Sequence, residues 1–580
     1  ATGCGKSTQV PQFILEQAIE DNRGAETNIV CTQPRRISAI GLAERVAAER
    51  LEKCGDVVGY SVRLESKLSD KTRLHFCTMG ILLRRLLSDP ALDGVTHVVL
   101  DEVHERSVES DLLLLLLRRL LNRRRDLRVV LMSATADSDF FAAYFAEPDA
   151  ASVAAGVAPT AARKVFIPGF THPVREYFLE DVLEMTGFQV GKGSKWARKR
   201  TKGAAGASSG AASEPLGDAP GGDVAAVADG SGTAADAAED VSAIPDDWED
   251  EGETRAPAPR VVPPPTSALQ NEDWTAETDA SARPRRRDVS ADLEAREAAD
   301  RERARQDELA EASRRLSEYS DATQRSIANV DESLLNYELI EMLLGAIARA
   351  ERARGEGALV ARGADGADDV SRVSESPKKE KASPGAVLIF LPGQMEITRL
   401  IRDCERSRHL REEDVGRLQF LPLYGALSAD DQRRIFARAP SGARKVVVAT
   451  NIAETSVTID DVRYVIDTGR AKEMGYDSAR GLSVLADAWI SRAASKQRRG
   501  RAGRTAPGAC FALFSRRGRA NLAPHQPPEM LRTPLQQLCL NIKALAPGGG
   551  GITQTLSSAP TPPAPEAVQA ALRELRALRA

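Results

Sequence analysis

Thr96-His97-Val98-Val99-Leu100 runs straight into Asp101-Glu102-Val103-His104. The five residues before the acids are rich in apolar and β-branched side chains and lack strict polar alternation. Such a run suits a strand buried on both faces of a parallel sheet, and therefore an α/β architecture. A carboxylate at the tip of that strand can hold a divalent cation beside a phosphate chain, which assigns Asp101 to the metal. Glu102, one step on, is placed to orient and deprotonate an attacking water. The plainer account is a capped turn, because acidic residues often open helices. Two carboxylates directly after a buried strand favour chemistry over capping. His104 alone carries no assignment as a metal ligand.

Working outward, runs of the same kind occur at Ile29–Cys31, Leu74–Cys77, Val129–Met132 and Val165–Ile167, with helical patterns between them. They return at Val387–Leu391, Val446–Ala449, Tyr464–Ile466 and Cys510–Leu513. The two series predict two α/β lobes, 1–188 and 331–515, and 580 residues are indeed too many for one core. Between them the composition breaks. Gly203 to Thr254 holds no lysine or arginine and 13 acidic residues, the rest being mostly Gly, Ala, Ser and Pro. It cannot bury enough apolar surface to offset chain entropy, so it is predicted to be disordered. The whole segment 189–330 reads as a low-complexity insert closed by a charged, alanine-rich, solvent-exposed helix. A more apolar helix opens at Leu334 and should pack beside the second lobe, followed by a loose stretch at 355–384. Past residue 516, amphipathic helices are expected at Leu531–Leu545 and Ala564–Leu578, as the start of a third domain.

Composition excludes several classes. No apolar run approaches the ~18 residues a membrane helix needs, and Leu112–Leu117 ends in Arg118-Arg119. Seven scattered cysteines without a Cys-x-x-Cys pair argue against structural zinc and disulfides, and for a reducing compartment. The net charge of −4 averages over unlike segments, so a basic channel can hide behind the acidic insert. Lys192 to Lys202 is basic around Trp196. It reads as a localisation or RNA-anchoring patch, or as the edge of a solvated linker. Trp248, in the acidic run Pro245–Asp250, could dock a basic partner, although such runs mostly keep linkers extended.

Two further stretches complete the chemistry. Gly3-Cys4-Gly5-Lys6-Ser7-Thr8 supplies the end of a phosphate-binding loop, whose backbone amides would wrap the phosphates at a helix N-terminus. Lys6 would reach the β and γ phosphates and Ser7 would ligate Mg²⁺. The first loop glycine and the strand feeding it would precede Ala1, so the chain is expected to be a fragment whose first lobe lacks a strand. At the other end, Gln497-Arg498-Arg499-Gly500-Arg501-Ala502-Gly503-Arg504 spaces Arg501 and Arg504 to meet one phosphate tail. They would neutralise charge on the γ-phosphate while Gln497 positions water. Arg498 and Arg499 receive no nucleotide role. Ser133-Ala134-Thr135, at another strand end, could hydrogen-bond a carboxylate or histidine across the sheet.

These motifs, in this order, resemble the DEAH/RHA family of superfamily 2 RNA helicases, over roughly residues 1–188 and 331–580. Thr32-Gln33-Pro34-Arg35-Arg36 and the stretch Cys77 to Arg84 are similar to the family's RNA-contact motifs. Phe390-Leu391-Pro392-Gly393 matches the strand opening the second lobe, and Thr450 to Asp460 the motif joining nucleotide and RNA. The resemblance implies two tandem RecA-like domains followed by the start of a winged-helix domain. It implies ATP or another NTP with Mg²⁺, and 3′-to-5′ movement on single-stranded RNA in the cytoplasm or nucleus, the cytoplasm slightly favoured. Arg45 and Phe436 would sandwich the base, and Asp460 would contact the nucleotide. Arg35, Arg36, Thr78, Gly393 and Thr450 would contact RNA. Tyr476–Leu485 would form a strand-separating hairpin. A DNA-directed helicase and an inactive scaffold whose acidic insert recruits protein partners are the alternatives.

Overall fold

A computed structural model of the chain describes residues 4–134, 138–146, 162–169, 171–199, 289–354, 385–412, 415–454, 459–477, 482–545 and 551–578. One compact unit comprises residues 1–199 and 296–580; the other, residues 200–295, is described only where the helix Val289–Leu316 begins. Gly3, Thr135, the acidic stretch 203–254 with Trp248, the loose stretch 355–384 and Thr455–Thr458 all lie outside the described residues.

The first lobe is a six-stranded sheet built from β1 (Ile29–Gln33), β2 (Val58–Val62), β3 (Glu65–Lys67), β4 (Leu74–Thr78), β5 (His97–Leu100) and β6 (Arg128–Leu131), in the order β3-β2-β4-β1-β5-β6. Every pairing is parallel except β2–β3. β1 is buried along its whole length, as expected of a run without polar alternation. One face carries the helices α1 (Lys6–Glu20) and α2 (Arg36–Glu49), and the other α3 (Met79–Ser88) and α4 (Val108–Leu121). The leucine run is now explained. Leu112–Leu115 and Leu117 are buried in a core shared by the sheet, α3 and the C-terminal segments Gln536–Leu545, Ile552–Leu556 and Pro565–Ala577. A helix covered on several sides needs no polar face. No helix among the described residues is long and apolar enough to cross a membrane.

The second sheet also has six strands, all parallel: β7 (Val174–Tyr177), β8 (Ala386–Phe390), β9 (Arg417–Leu423), β10 (Ala443–Ala449), β11 (Val462–Asp467) and β14 (Gly508–Ala512). Their order is β7-β14-β11-β8-β10-β9. Between β11 and β14 an antiparallel ribbon of β12 (Arg470–Asp477) and β13 (Leu482–Trp489) forms its own sheet. The ribbon is longer than the hairpin expected at Tyr476–Leu485, and residues 478–481 lie outside the described residues.

Three expectations change. Val165–Ile167 is not a strand: Val165 is 84% exposed, and valine-rich composition cannot hold a strand that has no partner. The strand Val174–Tyr177, inside the span assigned to the first lobe, pairs with β14 at the edge of the second sheet. The basic patch after Lys192 keeps its described charged residues at the surface but is tied to the second lobe through Lys195 and Trp196. Lys195 ion-pairs with Glu338 (2.5 Å) and the Trp196 indole N–H donates to the same carboxylate (3.0 Å). Ala197 makes a β-bridge with Val330, and the helix Asp321–Asn329 packs against Leu179–Thr186. Residues at both ends of the supposed insert are thus part of the second lobe's core.

Candidate active site

The described part of the phosphate-loop candidate, from Cys4, runs straight into a helix. Gly5 caps α1 with φ 74°, a left-handed conformation that glycine adopts without a Cβ penalty. Thr8 Oγ1 and the amides of Thr8 and Gln9 all bond back to the Gly5 carbonyl, closing the first turn. Lys6 and Ser7 follow in that turn. The neighbouring helix braces it: Glu49 of α2 accepts from Gln9 (3.0 Å), Gln12 (2.9 Å) and Arg45 (2.6 Å).

At the end of β5 the two carboxylates separate in role. Asp101 is fully buried; one oxygen accepts from Gln33 (2.9 Å) and the other from the Glu102 amide (2.9 Å). Gln33 belongs to the stretch assigned to RNA contact, yet its amide reaches into the acidic centre. Glu102 takes φ 55°, unusual for a residue with a side chain. Burial, and then the charge of Asp101, push its carboxyl up to about 8, while Lys6 and Arg501 pull against that rise. Its Oε2 is buried and receives no hydrogen bond, although His104 Nδ1 lies 3.4 Å away. A buried oxygen left open among cations suits a water or cation beside a phosphate chain.

The second lobe contributes the opposing wall. The helix Arg492–Arg499 begins with Ser491 accepting from the Ala494 amide (3.2 Å) and buries Gln497 and Arg498. The Gln497 amide nitrogen lies 2.7 Å from His104 Nε2, a hydrogen bond between the two lobes. Ala134, in the small-residue turn after β6, brings its backbone N–H to 3.4 Å from the same imidazole. Arg501 donates through Nε and Nη2 to the Glu454 carbonyl. Burial holds its guanidinium well below the ordinary range, reinforced by Arg504 and opposed by Glu102. Arg504 is lowered too, by burial first, against the pull of Glu102 and Asp460. A cationic pair facing a carboxylate across the cleft therefore stands in poor solvent, where an anion gains most.

The two arginines without an assignment have structural partners. Arg498 is 1% exposed and pairs with Glu454 (2.9 Å) and Asp467 (2.9 Å) beneath the Phe390 ring. Arg499 pairs with Glu176 of β7 (2.9 Å).

Arg45, with its side chain 65% exposed, and Phe436, 45% exposed, come from different lobes. Glu44, beside Arg45, lies 3.9 Å from Arg433 in the segment that leads to Phe436, which brings the two segments together across the lobes. Asp460 acts electrostatically on both Arg45 and Arg504. The RNA candidates stand apart from this cluster but at the same edge of the sheets. Arg35 and Arg36 follow β1, Thr78 ends β4, Gly393 follows β8 and Thr450 follows β10. These carboxyl ends are where parallel sheets bind ligands. A Cβ on Gly393 would approach Glu396 Oε2 at 2.6 Å and Lys472 Nζ at 2.7 Å, the mobile ends of two side chains that would have to shift.

Four contributing residues received no such role in the sequence reading: His104, Gln33, Glu49 and Glu454. The Arg45–Glu49 pair was accessible from its i,i+4 spacing. The others act across the fold and left no local signal.

Residues 1–142 match the family described as DEAD/DEAH box helicase, and residues 370–506 match the helicase conserved C-terminal domain. Among curated relatives, the DExH-box ATP-dependent RNA helicase DExH3 of Arabidopsis thaliana is 38% identical over 562 residues, 97% of this chain and 36% of that protein. The putative ATP-dependent RNA helicase DHX57 of Homo sapiens is 35% identical over 94% of this chain and 32% of its own length. The ATP-dependent DNA/RNA helicase DHX36 of Homo sapiens is 36% identical over 94% of this chain and 42% of its own length. The chain thus spans less than half the length of these relatives.

Proposed function

Because the chain belongs to the DEAD/DEAH-box helicase family, we propose that this protein is an ATP-dependent RNA helicase or RNA–protein remodeller, moving 3′ to 5′ on single-stranded RNA. One observation carries the reading: Glu102 of one lobe lies within electrostatic reach of Lys6 in its own lobe and of Arg501 and Arg504 in the other, beside the interlobe hydrogen bond from Gln497 to His104.

In this reading the loop from Gly3 through Cys4, Gly5 and Lys6 to Ser7 and Thr8 cradles the ATP phosphates. Arg45 and Phe436 hold the base by its faces, and Asp460 borders the same cleft. Glu102 takes a proton from water as the water oxygen bonds to the γ-phosphorus and the bridging bond to ADP breaks. Gln497 orients that water, and Arg501 and Arg504 offset the charge that develops. Ser7, Asp101 and Glu102 would hold Mg²⁺, which when bound neutralises phosphate charge. Because the cleft draws from both lobes, nucleotide binding closes them and product release opens them. Arg35, Arg36, Thr78, Gly393 and Thr450 grip the RNA backbone, which carries no sequence information. The cytoplasm or nucleus fits such a substrate, and the acidic stretch 203–254 could recruit basic proteins.

The test is ATP turnover and unwinding with RNA and DNA duplexes of either polarity. Lys6→Ala should lose ATP binding, whereas Glu102→Gln should bind ATP and turn it over at least 100-fold more slowly, on the order expected for loss of a general base. Strictly DNA-dependent turnover, in keeping with the DNA/RNA helicase among the relatives, would sink the RNA assignment. Wild-type turnover in Glu102→Gln would sink the assignment of the base.

A further inference from the structure

The short 3-10 turn Val103–Glu105, which follows Glu102 and carries His104, is bracketed by two residues in the left-handed region, Glu102 (φ 55°) and Arg106 (φ 52°). Side chains with a Cβ resist that conformation, so neighbouring structure must hold it. Part of that structure comes from more than 400 residues downstream. The Glu529 amide donates to the Arg106 carbonyl (3.0 Å), and the Glu529 carboxylate accepts from the Val108 amide (3.0 Å). Val108 opens α4, whose first amides have no partner within the helix. Ser107 accepts from the Ser110 amide through its side chain (3.2 Å), and its hydroxyl donates to the Met79 sulfur (3.7 Å). The carboxylate from the C-terminal segment therefore completes the cap, at the end of the helix where negative charge is favoured.

Arg106 fastens the same point from its side chain. It grips the buried Asp111 through two bonds of 2.8 and 3.0 Å, and its Nη2 also donates to Thr561 (2.8 Å). Its guanidinium lies over the Phe140 ring at 4.9 Å. Three of the bonds at this clasp come from the segment Glu529 to Thr561. Two residues away, His104 reaches across to Gln497.

We propose that Arg106 is a positioning residue for hydrolysis, and that Glu529 and Thr561 complete its clasp so that the seating of the C-terminal segment sets the reach of Glu102 and His104. Hydrolysis is thereby coupled to the C-terminal segment through the loop itself and not through the nucleotide pocket. The inference rests on the helicase reading above.

The full protein with Mg²⁺-ATP tests it through kcat, KM, mant-ATP affinity and Tm. Glu529→Ala should lower kcat about tenfold, with KM and mant-ATP affinity within about twofold of wild type. Glu529→Gln keeps an oxygen that accepts from the Val108 amide and should recover at least half of the lost kcat. Thr561→Val, a smaller change, should lower kcat about two- to threefold. Wild-type kcat in Glu529→Ala would overturn the inference. So would a fall in Tm and in active-site titre that accounts for all the lost turnover, because the clasp would then be only structural. A wild-type protein that does not hydrolyse ATP would instead overturn the helicase reading beneath it.

Discussion

Arg498 shows what burial does to a charge at the residue scale. It is buried with Glu454 and Asp467 as partners and Phe390 on its face. Removing it strands a fully buried Asp467. Arg498→Ala should therefore destabilise the second lobe by about 3–5 kcal/mol, read from urea unfolding. His75 offers a second residue-scale test, in the first lobe. Burial, helped by Arg85, holds its imidazole down at about 4, and Ser61 Oγ lies 2.7 Å from its Nε2. The unfolded chain then binds that proton first as pH falls. The stability His75 contributes is complete above its free value of 6.5 and is lost as pH falls toward about 4. Urea midpoints between pH 7 and pH 4 should fall less steeply in His75→Gln than in wild type.

At the scale of elements, two glycines separate a backbone requirement from a tolerated residue. Gly508 opens β14, and a Cβ there would meet the Ala502 carbonyl and, at 2.6 Å, the Arg463 carbonyl. Both obstacles are backbone and cannot swing away. Gly508→Ala should cost about 1–3 kcal/mol. Gly41, inside α2, has nothing within 4 Å of a Cβ. Gly41→Ala should stabilise by roughly 0.5–1 kcal/mol, both values being read from thermal unfolding of the two variants in parallel. The elements themselves were largely legible. Ile29–Cys31, Leu74–Cys77, Val98–Leu100 and Val129–Met132 each lie in or overlap a strand of the first sheet, and Val387–Leu391, Val446–Ala449, Tyr464–Ile466 and Cys510–Leu513 of the second. Their unbroken apolar runs reflect burial on both faces. Of these two sheets, the strands β2, β3, β7 and β9 went unread. Val174–Tyr177 and Arg417–Leu423 lie at sheet edges, where half-exposed positions dilute the apolar run.

At the scale of the whole molecule, the hydrogen bond between His104 and Gln497 joins motifs that are nearly 400 residues apart in the chain. If the pair acts as one unit in the closed state, His104→Ala and Gln497→Ala should each slow ATP turnover. The double variant should be little worse than the more severe single one, a coupling of about 0.5–3 kcal/mol in the activation free energy. Additive losses in that double-mutant cycle would show that the two residues work separately. The ion pair of Arg499 with Glu176 joins the helix carrying Gln497 to β7, the strand that leads out of the first lobe's half of the chain.

What this chain determines by its sequence alone is a pair of buried parallel sheets and the chemistry at their carboxyl edges. Strand burial and short phosphate-binding and acidic motifs are local properties that survive in a linear reading. Asp101, Glu102, Lys6, Arg501 and Arg504 were named from such stretches, and the structure brings the other four within electrostatic reach of Glu102. Only the tertiary structure decided that Gln33 serves the acidic centre, that His104 meets Gln497, that Arg498 is an internal ion pair, and that Glu529 caps α4. Each of these depends on side chains brought together by sheet order and domain packing. Hydrogen bonds and desolvated charges take their strength from distances of about 3 Å, and sequence separation says nothing about which residues will reach them.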